Sequence, residues 1–569
     1  MTSLKNHWII ALLLILAATL ISFLPSLFND FVNYDDPVLI FENALIREGS
    51  FSNAVNIFKT QLSGNHSRFN PLVFISYMST LRFFGPNPFW FHATSLLFHL
   101  GCVAAAFWLT MLLTQSLPVS VMTSLLFGIH PIHVEPVAWI SSLMHVMYSL
   151  FYLLSLILFL KAIRSERANP LLLFASFISF VICGCCFSAG AATLPAILLL
   201  LCVWQDSSLQ KKRLALLLPF FALSLFWAWI TVFAAKNSHI ITNPYFNTST
   251  YSLNERIHLS SLSIFYYLRQ LIAPLNFTIV YPEGYYSHPF NALYTVFLAV
   301  GILALLMFYK RRPVQTRPVF FGALFFLITI LPFLKIYSTT SSLTNDRYCY
   351  LACYGIFFIL ALWANLLLEK RVPLIRTVSA IAAVYLLIIT WSACRNWKNS
   401  ATLWSNQITA YPKAYPAYVG RADFYLSQGR YQNALDDLDR ALQLKPDYIE
   451  ALNLKGTTLL LSGSPQTAIE SYTKVLMVDP ANTAALNNRA AAYLNLGMYK
   501  NAQDDLDKSI NLDARQIDPY YNRSIALIGQ GRYQPALDDI EFILNADPGH
   551  ELARSQYQTL KKVMGSHEP

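Results

Sequence analysis

The sequence predicts an all-α protein in two parts: a polytopic membrane domain over residues 1–400 and a solenoid of repeated helix pairs over residues 410–569. Three observations carry this. The hydrophobic fraction is 55% against 13% charged residues, which is too apolar for an ordinary water-soluble chain of this length and excludes disorder or a disulfide scaffold. Apolar runs of membrane-crossing length recur through the first 400 residues, and a period of 34 residues runs through the rest. Charge divides at the same place. Residues 401–569 hold 16 Lys/Arg and 19 Asp/Glu, net −3, whereas residues 1–400 hold 25 and 12, net +13. The basic excess belongs to the apolar part, where it sets membrane orientation rather than contacting nucleic acid.

The apolar runs are 8–28, 91–113, 117–138, 143–160, 170–187, 191–204, 214–234, 291–309, 318–336, 347–368 and 373–392, about eleven spans. The first has only Lys5 before it and no small-residue cleavage signal after Leu27, so it reads as a retained helix. Lys and Arg collect at Lys161, Arg164 and Arg167, at Lys211, Lys212 and Arg213, at Lys310, Arg311, Arg312 and Arg317, and at Lys370 and Arg371. With eleven crossings every cluster falls on one side, the cytoplasmic one. The loop 29–90, the segment 130–142, the loops 235–290 and 337–346, and everything after 393 then face outward. The helical pattern at 253–275 carries Glu255, Arg256, His258 and Arg269. A crossing there would put Lys310–Arg312 outside, so it is expected to lie at the outer interface. The eight cysteines all lie in or beside spans, where they read as small packing residues.

In the second part, Gly429, Gly463, Gly497 and Gly531 share the 34-residue spacing with Ala434, Ala468, Ala502 and Ala536. Prolines follow at 446, 480 and 548, and Tyr418, Leu452, Leu486 and Tyr520 fill the large position near each start. This is the tetratricopeptide pattern: Gly ends the first helix, the small Ala lets the second approach it, and Pro closes the unit. The repeats are expected at about 415–448, 449–482, 483–516 and 517–550, followed by a capping helix. Their superhelical groove suits a protein or peptide, as substrate or as assembly partner.

The candidate chemistry lies in the outward segments. Asp35 and Asp36 follow the first span directly, and adjacent carboxylates at a membrane surface suit a general base or a divalent-cation site; a turn or helix cap before Pro37 is the plainer reading. His130, His133 and Glu135 sit in a turn stiffened by Pro131 and Pro136, able to ligate a metal or to hydrogen-bond at a helix end. Arg347 stands at a membrane boundary, where it can clamp a phosphate or pair with Asp346, and Arg68 has a similar pair of readings.

These residues also carry a resemblance. Phe31 to Val38 (FVNYDDPV) with Glu42-Asn43, His130 to Ser142 (HPIHVEPVAWISS), Tyr267-Leu-Arg-Gln with Pro274 and Tyr281-Pro282, and Asp346-Arg-Tyr-Cys-Tyr-Leu together resemble the transmembrane-and-tetratricopeptide-repeat (TMTC-like) family of GT-C glycosyltransferases, in the manner of a bacterial-type relative of the O-mannosyltransferases. The resemblance implies a GT-C-type helical domain that moves a sugar from a polyprenyl-phosphate carrier to an acceptor, a protein hydroxyl, on the periplasmic or luminal side, with the bacterial cytoplasmic membrane as its expected site. It implies Asp35 or Asp36 as the catalytic carboxylate and His130, His133 and Glu135 as the second outer motif. Arg347, with Arg269 or Arg68, is expected at the donor phosphate, and a divalent cation, if one takes part, at Asp35, Asp36 and Glu135. The chain departs from its relatives at Ser142-Leu143-Met144-His145, where they carry charged residues, and at Asn70-Pro71-Leu72, where they carry Arg-Pro-Leu or His-Pro-Leu. The rival expectation is a non-enzymatic membrane anchor displaying repeats to partners.

Sidedness is testable directly. Epitopes inserted in the loop 29–90 and at the C-terminus are expected to be reached by antibody from the same, non-cytoplasmic face of sealed vesicles. Access from opposite faces refutes the shared-side arrangement.

Overall fold

The computed structural model describes residues 2–47, 49–63, 69–164, 168–205, 211–237, 252–275, 277–281, 291–311, 313–336, 342–370 and 372–565. Regular structure among them is helical, apart from an isolated bridge at Ser342, as the all-α expectation requires. The chain forms two compact units, Met1–Leu403 and Trp404–Pro569.

In the first unit, eight helices among the described residues are long and apolar enough to cross a membrane: His7–Phe28, Pro88–Thr114, Ile140–Ala162, Ser188–Gln205, Arg213–Ala234, Ala292–Arg311, Thr316–Phe333 and Arg376–Arg395. The pair Leu117–Ile129 and Pro131–Ala138 makes a ninth if counted as one span, bent by 49° at His130. The bend has a local cause, because Pro131 has no N–H to continue the ladder and disfavours a helical conformation at the residue before it. Two further expected spans correspond to shorter apolar helices, Pro170–Cys186 and Cys353–Leu368. Several of these helices start in the same way, with a polar cap and a proline in the first turn. Asn87 accepts from Phe89 N before Pro88, and Asn169 accepts from Leu171 N and Leu172 N before Pro170.

Packing separates the helices into two kinds. Ile140–Ala162 is mostly enclosed by its neighbours, whereas Ala292–Arg311 exposes Leu293, Val296, Phe297, Val300 and Leu303, an apolar surface that suits lipid rather than water. Small residues allow the closest helix approach. A Cβ placed on Gly322 would stand 2.5 Å from the carbonyl oxygen of Gly355, so the helices Pro313–Ile330 and Cys353–Lys370 touch backbone to backbone. Helix Leu253–Ile272 is not among the span candidates. It opens with a reciprocal cap in which Ser252 and Glu255 satisfy each other's backbone N–H groups.

The second unit consists of four helix pairs, Tyr415–Ser427 with Tyr431–Leu444, Ile449–Leu461 with Pro465–Val478, Thr483–Asn495 with Tyr499–Leu512 and Asp518–Gly529 with Tyr533–Ala546, followed by Glu551–Gly565. Each pair turns at one of the periodic glycines, whose φ values of 68°, 84°, 69° and 74° lie in the left-handed region that a side chain disfavours. Ala434, Ala468, Ala502 and Ala536 are fully buried between the helices they join.

A polar ladder with the same period runs through this core. Arg421, Arg489 and Arg523 each clasp, two-pronged at 2.7–2.9 Å, the carboxylate sixteen residues on: Asp437, Asp505 and Asp539. Each also reaches sixteen residues back, to Ser405, Thr473 and Asp507. Lys455 occupies the missing rung and bonds Asp439. The buried carboxylates depend on this pairing, since an orphaned one would lose its only compensation for leaving water. In the fragment 404–569, Arg523→Ala is expected to lower urea-unfolding stability by about 1–3 kcal/mol, and Arg515→Ala, at an exposed pair, by about 0–1 kcal/mol. Equal losses would deny the ladder its role.

Candidate active site

The first loop and the start of the helix Ile140–Ala162 meet through Asp36. This carboxylate is 1% exposed and accepts three hydrogen bonds. Val32 N donates at 2.9 Å, and both the N–H of Ser141, at 3.1 Å, and its hydroxyl donate to the other oxygen. Burial pushes the Asp36 carboxyl up to about 6, against those three bonds, which pull it down. Asp35, its neighbour, is only partly buried. The sequence leaves these two aspartates equivalent, and the structure distinguishes them: Asp36 is buried and joins the loop to Ser141, whereas Asp35 stays partly exposed.

Beside them lies a buried ion pair. Glu135, 4% exposed, accepts from Arg347 with both oxygens: the backbone N–H at 2.9 Å on one, the guanidinium on the other. The Arg347 guanidinium lies over the rings of Trp139, at 5.1 Å, and Tyr348, at 5.0 Å. Tyr34 completes the cluster, its ring 5.2 Å from Trp139. Burial holds the Tyr34 hydroxyl above its ordinary value, Arg347 opposes that shift, and Asp35 and Glu135 add to it. Removing one member of such a pair costs about 3–5 kcal/mol, because the other is left charged and dry.

The two histidines serve the backbone. His130 accepts from Ile132 N at Nδ1, so Nε2 carries the proton that it gives to the Leu271 carbonyl, tying the turn to helix Leu253–Ile272. His133 donates from Nδ1 to the Phe127 carbonyl at 2.6 Å and meets Cys353 Sγ through Nε2. Among the described residues no three His, Cys, Asp or Glu side chains gather where they could hold a metal ion. The donor set thus does not fit the optional cation at Asp35, Asp36 and Glu135, since the oxygens of Asp36 and Glu135 are spent on Ser141, Val32 and Arg347.

Arg269 is exposed, 5.1 Å over the Tyr266 ring, and its charge reaches Asp346. Asp346 accepts from the Tyr281 hydroxyl at 2.8 Å. Burial, reinforced by Glu135, pushes its carboxyl well above the usual range despite that bond and the two arginines. Arg68 lies outside the described residues. The two departures from the family pattern meet in space: Asn70 Nδ2 points at Met144 Sδ, 3.8 Å away, and His145 sits among Phe187, Phe333 and Tyr348.

Sequence reasoning passed over Ser141, Trp139, Tyr34 and Lys335. The first two lie inside the His130–Ser142 run, so a signal existed. Lys335, 2% exposed, was hidden inside the expected span 318–336.

The tetratricopeptide repeat models match residues 415–448, 449–482 and 483–516. Human Protein O-mannosyl-transferase TMTC1 is 23% identical over 493 residues, covering 76% of this chain and 55% of its own length. The Caenorhabditis elegans Protein O-mannosyl-transferase F38B6.6 is 20% identical over 466 residues, covering 78% and 64%. The chain is similar to these relatives over about three-quarters of its length. A shorter stretch of 99 residues is 33% identical to human TMTC2, covering 17% of the chain and 12% of that relative. The chain spans between about half and two-thirds of the length of the first two relatives.

Asp36 gives a pH dependence with a definite sign. Its folded value lies above the ordinary carboxylate value, so the folded state binds the proton more tightly. The stabilisation from protonating it is complete below the ordinary value and lost as pH rises through about 6. Intrinsic-rate-corrected amide exchange at Val32 and Ser141 is expected to quicken between about pH 4 and 6, by no more than about 3 kcal/mol of opening free energy in all, and to level off above that. Asp36→Asn should flatten that dependence, and a flat profile in the unmodified chain contradicts it.

Proposed function

We propose that this chain is a membrane glycosyltransferase that moves a sugar from a polyprenyl-phosphate donor to a hydroxyl of a protein acceptor on the periplasmic or luminal side, with inversion. The observation that carries the reading is the pairing of a partly exposed carboxylate, Asp35, with a buried cluster of Glu135, Arg347 and Trp139 on which the half-buried Tyr34 packs. The printed names of the relatives, protein O-mannosyl-transferases, support sugar transfer to protein. The helices long enough to cross a bilayer support a lipid-borne donor.

In this reading the acceptor oxygen attacks the anomeric carbon from the face opposite the phosphate. The new C–O bond forms as the sugar–phosphate bond breaks. Asp35 takes the hydroxyl proton, and the electron pair leaves with the polyprenyl phosphate. Asp36, fully hydrogen-bonded, holds the loop and does not act as the base. Arg347 gives Nη1 to Glu135 and orders the floor of the site, while its buried Nε has no hydrogen-bond partner among the described residues, so Arg347 through that nitrogen and the exposed Arg269 are both placed to meet the leaving phosphate. Arg68 is a further candidate for that role. The repeats hold the acceptor and raise its local concentration. A non-enzymatic scaffold would use the repeats equally well, but it gives no reason to bury an ion pair beside an accessible carboxylate.

Asp35→Asn is expected to insert and melt like the unmodified protein while losing about 10²–10⁴-fold in transfer. Unreduced transfer in that variant would overturn the base assignment, and unreduced acceptor use after deletion of 410–569 would overturn recruitment by the repeats.

A further inference from the structure

The segment that leaves the last apolar helix is stitched to the first loop at several points. Asn29 Nδ2 donates to the Cys394 carbonyl at 3.1 Å, Asp30 N donates to the Lys398 carbonyl at 2.8 Å, and Asn33 N donates to Ser400 Oγ at 2.9 Å. Alongside these bonds the Trp397 ring stacks on Trp139, 5.7 Å apart at 22°, and Trp139 in turn contacts Tyr34. Ser400 is 2% exposed and is the first residue of helix Ser400–Ala410, whose start is fixed by Asn399 accepting from Thr402 N at 3.0 Å.

The position of Asn33 gives this contact its meaning. The side chain of aspartate is short, so whatever else it touches, the depth of the Asp35 carboxylate follows the backbone on either side. After it, Asp36 is bonded to Val32 and Ser141. Before it, the backbone is held where Asn33 gives its N–H to the Ser400 hydroxyl. We propose that Ser400 is a positioning residue for Asp35. Its hydroxyl fixes the near end of the turn 33–36, and so the depth and direction at which the carboxylate meets the acceptor hydroxyl. The residue lies far from the loop in sequence and touches no reacting atom; it acts through the backbone. The proposal rests on the reading of Asp35 as the base.

A pair of variants of the full-length protein separates the hydrogen bond from packing. Ser400→Thr keeps the hydroxyl, and Ser400→Val has nearly the same shape without it. With a polyprenyl-phosphate mannose donor and a Ser/Thr peptide acceptor, Ser400→Val is expected to lose about tenfold or more in kcat. Donor KM and melting temperature should stay unchanged, Asn33 amide exchange should quicken, and Ser400→Thr should restore kcat. Ser400→Ala serves as a second variant lacking the hydroxyl. Unchanged kcat in Ser400→Val, or equal losses in Val and Thr, overturns the positioning role when Asp35→Asn is inactive. Full kcat in Asp35→Asn removes the base reading itself, and this proposal with it.

Discussion

A carboxylate and a guanidinium can leave water together only if each satisfies the other, and the centre of the first unit is organised around that condition. Glu135 stands on a helical turn with Pro131 before it and Pro136 inside it, and Arg347 stands on a short turn from a distant part of the chain. Neither is tolerable alone at its observed burial. Their pairing fixes the bent helix against the 346–349 turn. Trp139 and Tyr348 close over the arginine, and Tyr34 packs on Trp139.

Asp36 applies the same condition on a smaller scale. Its burial is offset by three donors, two of them from Ser141, and those two hold the first loop to the start of the helix Ile140–Ala162. A site made from loops between apolar helices needs such ties, because loop backbone has no ladder of its own and its polar groups must find partners wherever the chain is enclosed. The tie to residues 394–400 meets the same need, supplying acceptors for the N–H groups of Asp30 and Asn33. In the second unit the solution is periodic: one arginine serves the carboxylate of its own repeat and an acceptor in the helix before it.

The helices and repeats were legible in the residues because their signals are local. Length and apolarity mark a span, and a fixed spacing of Gly, Ala and Pro marks a helix pair. The bend at 130–131 could likewise be read from His130-Pro131. The site was legible only as a set of suspects. Asp35, Asp36, Glu135, Arg269 and Arg347 were all named from residue type and position, but the difference between the two aspartates, and the pairing of Arg347 with Glu135 through Nη1 where the sequence suggested Asp346, were not. Ser400 gave no signal at all, since one serine at a helix start is indistinguishable from any other cap.

The sequence by itself determined what is set within a few residues or one repeat: the all-α class, the apolar helices, the tetratricopeptide period and the polar motifs between the helices. The tertiary structure alone decided which of those polar groups are spent on one another. Hydrogen bonds between residues 105, 212 and 367 positions apart depend on the folded chain bringing them within about 3 Å. No local pattern encodes that distance, so which carboxylate is buried and which stays accessible appears only once the helices have packed.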